Sequence, residues 1–177
     1  MSVNGGVSLK AHWESNAGLE SRRLIEEQNF DWVVIQDQSL TPIRNPSSTL
    51  TFGKRLADLI DKRDGKTVIF QTWSRKNNPR SQTQLDSTFY LLQRATDATL
   101  APVAEAWHLA RQEYPNLELY DEDGSHPSEM GSYLTALVFY LTLFDQDIST
   151  FKTVSSNRWS LIEMKQCEWL ALQTISK

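Results

Sequence analysis

Asp123 and His126 lie three residues apart in the stretch DEDGSHPSEMGSYLTALVFY, residues 121–140, where an acidic glycine-containing turn runs into a proline and then an apolar run. In a turn, that spacing lets a carboxylate reach an imidazole. The carboxylate would accept a hydrogen bond from one ring nitrogen, fix the tautomer and stabilise the imidazolium. The other nitrogen would then be left as a general base. A histidine that merely caps the following helix is the alternative these residues leave open.

Three other polar stretches follow apolar runs: Asn4-Gly5-Gly6-Val7-Ser8, Gln36-Asp37-Gln38-Ser39 and Gln71-Thr72-Trp73-Ser74-Arg75. Adjacent glycines let a backbone amide approach a ligand closely, so an N–H of the Gly5-Gly6 turn could face a developing oxyanion. The side-chain amides of Gln36 and Gln38 could do the same. His12, Trp13 and Trp73 could line a sugar or acyl pocket by stacking, with core or rim packing as the other reading. Other chemistries find no support. G-x-G-x-x-G, G-x-x-x-x-G-K-[ST] and G-x-S-x-G are all absent. His12, His108 and His126 show no metal-ligand spacing, and no cofactor is indicated.

The elements that must carry these residues alternate. DWVVIQ and KTVIFQTW are short, continuous apolar runs of the kind buried on both faces of a parallel sheet, and TLAPV and LELY read as shorter strands. SVNGG reads as the end of a further strand. Helices are expected over AGLESRRLIEEQ, NPSSTLTFGKRLADLIDKR, SQTQLDSTFYLLQRATDA and AEAWHLARQEY. Another is expected over SEMGSYLTALVFYLTLF, with Ser128 as its N-cap. This alternation implies a three-layer α/β domain with a parallel sheet, and in such folds function gathers at the carboxyl ends of strands. The 177 residues form one domain in this reading. Residues 151–177 make a helical tail packed on it, with Trp159, Ile162, Trp169 and Leu170 on its amphipathic helix. A formal net charge of −4 gives no basic footprint for nucleic acid or an anionic membrane. No apolar run reaches the ~18–20 residues of a membrane span. The single cysteine, Cys167, rules out an intrachain disulfide.

Asp123-x-x-His126-Pro127, Asn4-Gly5-Gly6-Val7-Ser8 and DWVVIQDQS, in that spatial logic, resemble the SGNH (GDSL-like) hydrolase superfamily. The similarity extends over roughly residues 3–145 and points to a poorly characterised bacterial branch. It implies a flavodoxin-like fold and serine ester hydrolysis without a cofactor, with a small acyl ester or a carbohydrate O-acetyl ester as substrate. It also implies His126 as base, Asp123 as its acid partner and the Gly6 N–H as an oxyanion donor. DWVVIQDQS stands where the superfamily usually has Gly-x-Asn-Asp. The asparagine is missing, so Gln36 or Gln38 would take its role. The superfamily's nucleophile block, a strand ending in Gly-Asp/Asn-Ser, has no counterpart in residues 1–177, and neither Ser2 nor Ser8 fits it. The expectation is therefore a sheet lacking its first, internal strand, an upstream nucleophile, and a chain inactive by itself. Exposed strand edges would favour self-association. A non-catalytic, ligand-binding remnant of the same fold is the rival expectation.

Overall fold

The computed structural model describes residues 5–144, 148 and 159–175, so the strand end read at residues 2–4 and the tail segment 151–158 lie outside it. The chain forms two compact units.

The first unit comprises residues up to 72 together with 80–100. It carries a parallel three-stranded sheet of β1 (Trp32–Ile35), β2 (Lys66–Phe70) and β3 (Thr99–Ala101), in the order β1-β2-β3. The register of the first pair runs from Trp32 beside Lys66 to Ile35 beside Ile69. Two short helices, α1 (Leu9–Glu14) and α2 (Ser21–Glu27), precede β1. After β1 come α3 (Thr41–Arg44) and the longer α4 (Pro46–Asp61). Pro46 opens α4 where its missing N–H costs nothing, and the Asn45 side chain caps the helix by accepting from Ser48 N at 3.2 Å. α4 lies on β1 and β2, and α5 (Gln82–Thr96) packs on α4. Leu56 and Ile60 of α4, Leu85, Phe89 and Leu92 of α5, and Ile35 and Ile69 of the strands make one buried cluster. Burying side chains of this size contributes about 1.5–3 kcal/mol each.

The second unit comprises residues 73–79 and 101–177. Among its described residues the helices are α6 (Val103–Glu113), α7 (Glu129–Phe144) and α8 (Leu161–Ile175), each packed on the other two. Trp107, Leu134, Val138 and Leu170 are among its fully enclosed side chains. Cys167 is enclosed as well. Burial pushes its thiol up to about 12, which makes it a packing residue rather than a nucleophile. Among the described residues no helix is long and apolar enough to cross a membrane.

Two expectations need correction. LELY does not join the sheet: only Tyr120 forms an isolated antiparallel bridge, with Pro127. Leu119 O accepts from Ser128 N at 2.9 Å and Asp121 N donates to His126 O at 2.9 Å. The segment spends its backbone groups closing its own loop. The second correction is β1, whose apolar run is not covered on both faces, since Val34 is 46% exposed. Ser128 does cap α7, accepting from Gly131 N at 3.0 Å.

Candidate active-site loop

Residues 120–127 form a loop pinned at its base by the Tyr120–Pro127 bridge. Asp123 uses both carboxylate oxygens. Oδ1 accepts from the backbone N–H groups of Ser125 (2.8 Å) and His126 (2.9 Å), and Oδ2 lies 2.5 Å from His126 Nδ1. The Asp123 side chain is thus committed to the turn that presents the imidazole. The hydrogen bond to His126, reinforced by the two backbone donors, holds the Asp123 carboxyl down at about 2. The contact therefore keeps its full strength above the ordinary carboxyl value of 3.8 and is lost only as pH falls through about 2. The His126 side chain is 78% exposed and that of Asp123 49%. The imidazole faces solvent, and its Nε2 has no partner among the described residues.

The loop rests on an aromatic column within the same unit. Trp73 stacks on Trp107 with ring centres 3.7 Å apart and planes 7° from parallel, and Tyr120 meets Trp107 edge-on at 4.9 Å. Trp73 Nε1 donates to Ser125 O at 3.1 Å, and Lys76 N donates to Gly124 O at 2.9 Å. Tyr120 Oη donates to Ser74 O at 2.9 Å and accepts from Arg111 at 3.2 Å. The stretch just after β2 is therefore sewn to the loop that carries the acid and the base.

The candidate oxyanion residues belong to the first unit. Gly6 has φ +71, in the left-handed region that favours glycine, and a side chain there would meet nothing within 4 Å. Gln36 is exposed. Gln38 is half-buried, and its Oε1 accepts from Leu40 N (2.9 Å) and Thr41 N (3.0 Å), capping the start of α3. Only the amide nitrogen of Gln38 is then left to act as a donor elsewhere. Ser8 caps α1, its Oγ accepting from Ala11 N at 3.3 Å.

No family model matches the sequence, and no curated protein matches it significantly. Solved structures do. A protein from Slackia heliotrinireducens, provisionally described as an SGNH hydrolase, superposes with a TM-score of 0.69 at 26% identity, over 78% of this chain and 80% of its own. The fold is that of the SGNH hydrolases. A DUF4886 family protein from Bacteroides uniformis superposes with a TM-score of 0.82 over 99% of this chain and 82% of its own, and at 17% identity it bears on the fold alone.

Within this SGNH-like fold the two α1 candidates have structural partners. His12 Nδ1 lies 2.6 Å from Ser21 Oγ; burial lowers its basicity, partly offset by the charge of Asp37. Trp13 is half-buried against the core cluster, with the guanidinium groups of Arg22 and Arg55 over its ring at 4.9 and 5.7 Å.

The residue that the sequence did not single out is Asp37. It is buried and accepts from Leu9 N (3.1 Å), Gln38 N (2.8 Å) and Thr49 Oγ1 (2.5 Å), tying the end of β1 to the starts of α1 and α4. Its place between two glutamines, just past an apolar strand, was the one available signal. Burial raises the Asp37 carboxyl above its usual value despite those donors. Its contribution to stability is thus largest below 3.8 and declines as pH rises through the raised value. Asp37→Asn keeps an acceptor for the backbone donors and removes the buried charge, so it should be tolerated and should flatten this part of the stability–pH curve. Asp37→Ala strands three donors and should cost roughly 1–3 kcal/mol for each left unpaired. Urea unfolding of both variants between pH 3 and 8 checks the contrast.

Proposed function

We propose that this chain supplies the acid–base arm of a serine ester hydrolase acting on a small acyl ester or a carbohydrate O-acetyl ester. One observation carries the reading: a carboxylate locked onto Nδ1 of a solvent-facing imidazole whose Nε2 has no partner among the described residues. In this chemistry His126 Nε2 takes the proton of a serine hydroxyl as its oxygen bonds to the acyl carbon. It then gives that proton to the departing alcohol as the C–O bond breaks. Water repeats the sequence, releasing the acid and restoring the serine. The resemblance to SGNH hydrolases gives the oxyanion to the Gly6 N–H and the amide of Gln36 or Gln38. These roles rest on the resemblance to SGNH hydrolases, as does the choice of ester.

Residues 1–177 contain no Gly-Asp-Ser or Gly-Asn-Ser. This favours a second reading, a binding protein of the same fold without turnover. Hydrolysis of p-nitrophenyl acetate and of an acetylated sugar separates the two. On the enzyme reading, residues 1–177 alone are inactive and a polypeptide that also carries a strand ending in Gly-Asp/Asn-Ser ahead of them turns over. Saturable binding of the acetylated sugar with no turnover by either form would establish the binding protein instead.

A further inference from the structure

We infer that Trp73 is a positioning residue for the Asp123–His126 pair, its indole N–H and stacked ring setting the peptide that orients the Asp123 carboxylate. The catalytic meaning of this rests on the ester-hydrolase reading; the positioning itself does not.

Of the three peptide units between the acid and the base, the last two are each held at both ends. The Gly124–Ser125 unit has its carbonyl on Lys76 N and its N–H on Asp123 Oδ1. The Ser125–His126 unit has its carbonyl on the Trp73 indole and its N–H on the same Oδ1. A peptide plane is rigid, so a donor that fixes the carbonyl also aims the N–H on its far side. Two N–H groups converging on Oδ1 leave Oδ2 to face the imidazole. Hydrogen bonds in such a chain polarise one another, and removing the first weakens the next.

Trp73 is suited to the task because its ring cannot swing. One face lies on Trp107, which is fully enclosed, and Trp107 is in turn held by the edge of Tyr120 and by its own N–H to Thr135 Oγ1 at 3.4 Å. Ser74, the next residue, accepts from Tyr120 Oη, which ties the same column to the start of the loop.

Trp73→Phe separates the donor from the stack. The phenyl ring can remain on Trp107 while the Ser125 carbonyl turns to water. In the intact chain, NMR titration of the Asp123 carboxyl carbon should then show its midpoint rising from about 2 toward the ordinary 3.8, and the His126 imidazole ¹⁵N shifts should move as the Nδ1 contact with Asp123 loosens. Trp13→Phe, in the other unit, should move neither signal. If Trp73→Phe does not fold, benzothienylalanine at 73 keeps the bicyclic shape and lacks the N–H, and the same two signals are read. In an active, nucleophile-bearing form, kcat should fall about tenfold with KM unchanged, the pattern of a lost transition-state interaction. An unmoved Asp123 midpoint and unchanged His126 ¹⁵N shifts in a folded donor-less protein overturn the inference, whether or not the chain proves to be an esterase. An esterase reading that fails while both signals shift leaves the positioning role standing.

Discussion

His126→Ala is expected to reduce ester hydrolysis by the nucleophile-bearing form by at least the ~10²–10⁴-fold that general acid–base catalysis supplies. Stability should hardly change, because the ring is 78% exposed and its only hydrogen bond among the described residues is to Asp123. Asp123→Asn makes a sharper test. Oδ1 is claimed by the N–H groups of Ser125 and His126, so an asparagine must keep its oxygen there and turn its NH₂ toward Nδ1. A donor facing Nδ1 forces the proton onto Nε2, the atom that has to be free to act as base. The isosteric change should therefore abolish base catalysis on the order of His126→Ala, and the imidazole ¹⁵N shifts should report the exchanged tautomer. Asp123→Ala imposes no wrong tautomer, so it should be the milder of the two. Activity in Asp123→Asn matching the parent would remove Asp123 from the mechanism.

How far this site was legible in the chain can be judged from its parts. The acid–base pair was readable because its spacing of three is local: Gly124, with φ +64, lets the backbone bend so that Asp123 and His126 can meet within one turn. Strands β1 and β2 and helices α4 to α7 were readable for a similar reason, since each apolar run fits one period and is bounded by breakers. LELY failed because alternation records that one side is apolar, not what its backbone will bond to. Its peptide groups found partners within ten residues, at Ser128 and His126, before any sheet could offer them. Val34 failed because burial of a strand face depends on what lies against it, which the run V-V-I does not encode. α1 escaped notice because six residues give too little periodicity, and its start is held by a carboxylate 28 residues away. The Trp73 clamp was illegible in the same way. Its acceptor lies 52 residues further on, and nothing in the tripeptide Thr72-Trp73-Ser74 distinguishes a ring lining a pocket from one stacked under a loop.

A large loss of stability should also come from changing a residue with no side chain at all. Gly131 lies in the first turn of α7, where replacing glycine by alanine in an open helix would gain about 0.8–1 kcal/mol from propensity. Here a Cβ would sit 2.2 Å from the Leu119 carbonyl oxygen and 2.8 Å from the Trp107 ring. The first contact decides the outcome, because it is with backbone. That carbonyl accepts from Ser128 N, and Ser128 Oγ in turn donates to Glu118 O at 2.8 Å, so it cannot retreat without opening the closure of the 120–127 loop. Gly131→Ala should therefore destabilise by about 3 kcal/mol, at the upper end of overpacking costs, and each kcal/mol lowers the melting temperature of a chain this size by ~2–4 °C. Gly53 in α4 is the control. A Cβ there would approach Leu92 at 2.7 Å, but what it meets is the far end of a side chain that can change rotamer, so Gly53→Ala should cost less. Combining Gly131→Ala with Trp107→Phe distinguishes the two contacts. If the ring were the main obstacle, the smaller ring would restore stability; because the carbonyl is, the double variant should be no more stable than either single one. The same strain reaches the active-site loop, since Leu119 precedes Tyr120 and Trp107 carries Trp73. The Asp123 titration should rise in Gly131→Ala as it does in Trp73→Phe, linking a packing glycine to the geometry of the acid–base pair.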